Sequence, residues 1–158
     1  IISTEEESKV DEIKKLKNFW ELLGSKVKIM SVEEHDYILS LTSHLPHAIA
    51  YNLVKTAIGN ENKFRNDIIQ YSAGGLRDFT RIASSNPIMW RDIFIDNSEN
   101  ILKVLNKFSD DLEVLKKAIA SKNREELSKI FASTKEIRKD IIKAGQDTDK
   151  PDFGRKKN

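Results

Sequence analysis

Along most of the chain, apolar residues recur at three- and four-residue steps, the spacing of one face of an α-helix. Val10, Ile13, Leu16, Trp20 and Leu23 make the first such run, and Gly24 ends it. Ser3-Thr4 followed by Glu5-Glu6-Glu7 reads as its start, with side-chain caps and acids at the positive end of the helix dipole. Lys26–Met30 (KVKIM) then alternates polar and apolar positions over the length of a short strand. A single strand leaves its own backbone groups unpaired. No other segment reads as a strand, so the sheet it serves is expected outside this chain. A helix, a glycine and a short strand form the kind of ending an α/β domain has.

From Ser31 the pattern is helical throughout. Ser31-Val-Glu-Glu34 is a capping box, and the helix it opens runs toward Gly59, apolar nearly all round, which predicts burial on most faces. Pro46 lies inside it and removes a ladder hydrogen bond, so a kink is expected near Thr42–Pro46. Asn62–Tyr71 resumes helical spacing through Phe64 and Ile68. Gly74-Gly75 then marks backbone that turns sharply or lets another group come close. Asn86 caps a short helix with Pro87 at its first position, ending by Asn97. Ile101, Leu105, Phe108, Leu112, Leu115 and Ile119 follow in 4-3-4-3-4 spacing, a heptad seam that suits either core packing or dimerisation. Asn123 with Glu126 restarts a last helix, through Leu127, Ile130, Thr134, Ile137 and Ile141, that stops at Gly145. The polar tail 146–158 is expected to be flexible. Residues 1–30 thus read as the remnant of one domain and 31–145 as a helical domain.

Composition narrows the chemistry. The 158 residues suffice for one ordinary domain. With 27 basic against 25 acidic residues the net charge is +2, unlike the strongly basic face of a nucleic-acid binder. The absence of cysteine excludes a disulfide scaffold, a thiolate metal site and a cysteine nucleophile, and is compatible with a reducing compartment. No apolar run is long enough to span a membrane, and IISTEEE is not a signal peptide. With no initiator methionine, the chain is expected to be a soluble fragment or a processed piece.

The histidines all fall between His35 and His47. At about 100° per residue, Asp36 and His47 share a helix face, with His44 nearby and His35 nearly opposite His44, too scattered for a metal site. His35 is expected to be a hydrogen-bonded core histidine, whereas His47, beside a proline kink, suits a ligand role. Arg77, Arg81 and Arg91 sit among Phe79, Ile82, Ile88 and Trp90. An arginine there is either an ion pair, for example Arg81 with Asp78 or Asp92, or a receptor for a carboxylate that fits its planar fork. The neighbours Thr80, Ile82 and Ala83 predict a half-buried Arg81. No glycine pattern for a phosphate cradle and no serine elbow is present.

Two segments carry a resemblance. HDYILSLTSHLPHAIAYNL at His35–Leu53 and AGGLRDFTRIASSNPIMWRDIFIDN at Ala73–Asn97 resemble the signature of the prephenate dehydrogenase family, whose members act on prephenate, arogenate or both. The matched pattern is His-Asp, then S/T-H-L-P-H with its proline inside the helix, then G-G-x-[RK]-D-x-T-R-I-A and M-W-R-D. WELLGSKVKIMSVEEHD resembles the family's junction between two domains, and GQDTDKPDFGR the tail of its cyclohexadienyl dehydrogenases. Leu76 departs from the third glycine or aromatic found there in many members.

The resemblance implies a mainly α fold, a helical dimerisation domain of the 6-phosphogluconate-dehydrogenase C-terminal-like type. It would be preceded by the last helix and strand of a Rossmann-type domain. It also implies a cytoplasmic enzyme of tyrosine biosynthesis that oxidatively decarboxylates prephenate to 4-hydroxyphenylpyruvate, with NAD or NADP as cofactor of the full-length protein. The family's catalytic histidine belongs to the absent cofactor domain, so this chain is expected to bind no dinucleotide and to be inactive alone. Carried over by position, Arg81 receives the ring carboxylate. His47 touches substrate and mediates inhibition by tyrosine, while Gly74 and Trp90 line the pocket. Asp78 belongs to an ionic network at the mouth of that pocket, and Asp36 and His44 support the site. The implied partners are a second copy of the chain, prephenate or arogenate, and tyrosine as feedback inhibitor; neither metal, nucleic acid nor membrane is implied. A non-catalytic helical dimerisation or tyrosine-binding module is the alternative, and a helical mutase of the same pathway a weaker one.

Overall fold

The computed structural model describes residues 1–5, 9–59 and 63–147. The chain forms two compact units, Ile1–Asn106 and Lys107–Asn158.

The first unit opens with β1 (Ile2–Thr4), α1 (Val10–Leu22) and β2 (Ile29–Ser31). β1 and β2 pair in parallel, Ile2 opposite Ile29, Ser3 opposite Met30 and Thr4 opposite Ser31, with α1 as the crossover. This corrects the expectation for both ends. Ser3 and Thr4 do not cap a helix but lie in a strand, because the backbone beside Ile29 offers them hydrogen-bond partners; the Ile2 amide already donates to the Lys28 carbonyl at 2.9 Å. KVKIM therefore has a partner within the chain, although its strand begins only at Ile29. α1 starts at Val10 after Lys9, with no side-chain cap; Glu6 and Glu7 of the expected acidic start lie outside the described residues. α1 buries no residue, and Phe19, Trp20 and Leu23 remain exposed.

α2 (Val32–Leu39) begins at the expected capping box, with Ser31 Oγ accepting from the Glu34 amide and a Glu34 carboxylate oxygen accepting from the Ser31 amide, both at 3.1 Å. The helix does not simply bend at the proline. Residues Ser40–His44 form a π-turn, in which the Leu45 amide donates to the Ser40 carbonyl, and Pro46 then sits in the first turn of α3 (Leu45–Ile58). A widened turn is one of the ways a helix absorbs a missing donor. α3 ends at Gly59, and α4 (Arg65–Gln70) follows.

α5 (Gly74–Ala83) packs on α3, and the Tyr51 hydroxyl ties α3 to the Ser85 carbonyl beyond α5 at 3.2 Å. Ala48 and Ala50 are the buried residues of α3, and small side chains let neighbouring backbones approach. Burial on most faces is not what is found, since Tyr37, Ile38 and Leu41 before the proline stay exposed. α6 (Pro87–Asp96) begins as expected, with Asn86 Oδ1 accepting from the Ile88 and Met89 amides at 2.9 and 3.1 Å. Ser40, His44, Trp90, Asn97 and, on α7 (Ser98–Ala120), Ile101 and Val104 are buried as well.

The second unit holds the end of α7 and α8 (Arg124–Lys143). The expected restart at Asn123 is present, its side chain accepting from the Glu126 amide at 3.0 Å. Of the heptad seam, Leu112 and Ile119 are 42% and 57% exposed, while Ala118, outside the seam, is buried. The seam is therefore open at Leu112 and Ile119, while Ile101 at its start is buried.

α1, α7 and α8 end alike. The second residue after the helix takes positive φ at Gly24 (+86°), Lys122 (+51°) and Gly145 (+71°). At each, that residue and the next donate back to carbonyls three and five residues earlier, as in Asn123 to Ala118 at 2.9 Å. Lys122 adopts the left-handed region with a Cβ, which costs about 1 kcal/mol relative to glycine. Lys122→Gly is expected to stabilise the protein by roughly that amount, read as a higher urea midpoint.

Candidate functional site

The site grows out of the π-turn. With Pro46 breaking the ladder, the Ser43 carbonyl accepts from the His47 ring, Nδ1 to O at 2.8 Å. That hydrogen bond puts a proton on Nδ1 and leaves Nε2 as the atom His47 can offer elsewhere. The same ring stacks on Trp90 of α6, with centroids 3.6 Å apart and planes 20° from parallel. Trp90 also meets His44 and Phe94 edge-on, at 6.0 and 5.6 Å. His47 is thus held by its own turn on one side and by an indole face on the other.

Trp90 is only 6% exposed, and its Nε1 has no hydrogen-bond partner among the described residues. Within this chain it is a buried platform, with His47 stacked on its ring. His44 is also buried. Burial pushes its pKa below the ordinary imidazole value, with His35 and His47 adding in the same direction and the Asp36 carboxylate opposing them. Its Nδ1 lies 3.2 Å from Asn97 Nδ2, and the same Asn97 nitrogen donates to the Asp36 carbonyl at 2.8 Å. The Asp36 carboxylate pairs with His35 Nδ1 at 2.9 Å. His35, expected in the core, is half-buried.

The glycine pair is not itself the turn. The chain turns at Tyr71–Ala73, and Gly74 and Gly75 are the first residues of α5. Neither has positive φ, and a Cβ on either would meet nothing within 4 Å. Open space above the start of a helix is what the pair provides. Four residues past the helix start lies Asp78, then Arg81. The Arg81 side chain is 64% exposed, which overturns the half-buried expectation, and its Nε stands 3.9 Å from Asp78 Oδ1. Such a separation in solvent is a weak tether. Arg91 takes Asp92 at 2.7 Å, the plain ion pair anticipated for it. α3 and α5, which carry His47 and Arg81, pack on each other.

Asn97 escaped sequence reasoning except as a helix end. Its partners are 53 and 61 residues away, so no local pattern marks it.

The class that these features define is a mainly helical domain that follows a parallel strand–helix–strand unit and carries a histidine–tryptophan stack beside an arginine-bearing helix. Residues 31–133 match the family model described as prephenate dehydrogenase, dimerization domain. A cyclohexadienyl dehydrogenase of Zymomonas mobilis is 45% identical over 121 residues, 77% of this chain and 41% of that protein. A prephenate dehydrogenase of Bacillus subtilis is 35% identical over 126 residues, 80% of this chain and 34% of that one. Among solved structures, prephenate dehydrogenase from Aquifex aeolicus in complex with hydroxyphenyl propionate and NAD+ superposes with a TM-score of 0.80 at 41% identity. That superposition covers 88% of this chain and 48% of the other. The chain belongs to the prephenate dehydrogenase family, as its helical dimerization domain. It spans less than half the length of these relatives.

The lowered pKa of His44 carries a sign. The folded protein binds fewer protons than the unfolded chain between that lowered value and about 6.5, so stability is full above about pH 6.5 and is lost as pH falls through the window. Thermal unfolding is expected to move to lower temperature between about pH 7 and pH 5, and to move less in His44→Asn, whose side chain does not titrate in this range.

Proposed function

We propose that this chain is the substrate-side, dimer-forming part of a prephenate, arogenate or cyclohexadienyl dehydrogenase, an oxidoreductase of tyrosine biosynthesis. The reaction takes hydride from ring C4 to NAD or NADP as the C4 hydroxyl loses its proton and becomes a carbonyl; the bond to the ring carboxylate then breaks, CO2 leaves, and the electron pair passes through the ring to that oxygen, which takes up a proton as a phenol. The observation that carries this reading is the family match over 31–133 together with the placement of His47 and Arg81 on two helices that pack together.

The residues present do not fit the dinucleotide. The link from β1 to α1 contains no glycine and is acidic, Glu5-Glu6-Glu7, where a pyrophosphate would need a glycine turn and backbone donors. The cofactor is accordingly assigned to sequence outside this chain, with residues 1–30 as the end of that domain, 31–145 as the helical domain and 146–158 as its tail. What these residues contribute is binding and orientation. Arg81, exposed and only loosely held by Asp78, keeps its fork available for the ring carboxylate. His47 Nε2, directed by the Ser43 hydrogen bond, serves the other end of substrate or of tyrosine. Gly74 leaves room for a ring at the start of α5. Trp90, His44 and Asp36 hold His47 and its turn in place.

Arg81 acts through alignment and affinity, because a receptor that gripped the departing carboxylate would stabilise the ground state equally. In the full-length enzyme, Arg81→Ala is expected to raise KM for prephenate strongly and to lower kcat less; a normal KM would overturn the assignment. His47→Ala is expected to weaken inhibition by tyrosine, and unchanged inhibition would count against its role. The open seam and the family's dimerization domain support a homodimer through the helical region. Leu112→Asp with Ile119→Asp is expected to yield monomer in sedimentation velocity, and an intact dimer would remove the seam from the interface.

A further inference from the structure

We propose that Asn97, between α6 and α7, is a positioning residue that latches the π-turn onto α6 and holds His44 as the tautomer protonated on Nε2. The orientation of the Asn97 amide follows from its partners. The atom 2.8 Å from the Asp36 carbonyl must be the nitrogen, since a carbonyl only accepts. The second hydrogen of that nitrogen then points to His44 Nδ1 at 3.2 Å, and Asn97 Oδ1 accepts from Asn100 Nδ2 at 2.9 Å. Both amide hydrogens and the oxygen are engaged, in a side chain that is 8% exposed. An amide nitrogen cannot accept, so His44 Nδ1 must, and its proton resides on Nε2.

The latch reaches the site through the backbone. Asp36 lies in α2 before the π-turn and His44 at the turn's end, so Asn97 fixes the chain on both sides of the bend. Ser43, whose carbonyl orients His47, lies between those two points. Trp90, the stacking platform for His47, precedes Asn97 by about two helical turns, so one side of α6 holds both the ring and the turn that aims it. Asn97 touches neither substrate nor tyrosine in this scheme. It acts through His47, and so rests on the role proposed above for that residue.

The test uses the full-length enzyme, wild type and Asn97→Asp. Long-range 1H–15N correlation spectra of the histidine rings report which nitrogen carries the proton. Wild-type His44 is expected to show an unprotonated Nδ1 and a protonated Nε2. In Asn97→Asp the carboxylate accepts where the amide donated, and the His44 Nδ1 is expected to gain a proton. The carboxylate cannot donate to the Asp36 carbonyl, and loss of that hydrogen bond is expected to raise KM for prephenate roughly five- to tenfold with a smaller change in kcat. Wild-type His44 protonated on Nδ1 would overturn the latch even if the variant does not fold, and so would a folded variant with unchanged tautomer and KM. A wild-type enzyme with the expected tautomer but no oxidation of prephenate would instead overturn the functional reading and leave the latch standing.

Discussion

A missing hydrogen-bond donor sets the course of this fold. Pro46 has no N–H, and the helix that starts at Ser31 meets it after four turns. The chain responds by widening one turn, Ser40–His44, rather than by ending the helix. Ser40 at the start of that turn is fully buried, and its hydroxyl donates to the Tyr37 carbonyl at 2.6 Å, a local bond that a bulky side chain would not permit. The Ser43 carbonyl then takes up a ring nitrogen of His47. A backbone irregularity is thereby converted into an orientation for one imidazole.

That orientation would be loose without a second support. An imidazole with one hydrogen bond still rotates about χ1 and χ2, and each immobilised side chain costs conformational entropy. The Trp90 face at 3.6 Å supplies the missing restraint, and burial of the indole makes the platform rigid. The Nε1 of Trp90, unpartnered among the described residues, carries a penalty on the order of 1–3 kcal/mol for a buried donor. Stability given up for a fixed geometry is a common exchange at sites of this kind, and His47 is proposed to serve one.

What could be read in the sequence follows from the range of each interaction. Ser31 with Glu34, Asn86 with Ile88 and Met89, and Asn123 with Glu126 are contacts within three residues, and each helix begins where those side chains place it. The disturbance at Pro46 was equally legible, because its cause is the residue itself. β1 was not, since Ser3 and Thr4 suit a helix start as well as a strand and the deciding partner lies 27 residues further on. Nor was the exposure of Arg81: its apolar neighbours point to other faces of α5, and periodicity does not say what covers a face. The positions matched by resemblance are mostly present as side chains of one neighbourhood, while Asn97, which joins them, has no signature of its own.

The exposure of Arg81 has a further consequence for the proposed chemistry. An arginine buried against a carboxylate would already have lost its hydration, and a substrate would have to displace that partner inside a medium of low dielectric. Arg81 instead meets the half-buried Asp78 at 3.9 Å with its own side chain 64% exposed, an interaction worth about 1 kcal/mol. Replacing Asp78 by a substrate carboxylate therefore costs little. The attraction would strengthen only where water is excluded from the pair. In the proposed reaction the carboxylate would depart as neutral CO2, so the charge assigned to Arg81's fork would disappear. A receptor that is solvated when empty would bind the anion for alignment and be rehydrated as the product leaves.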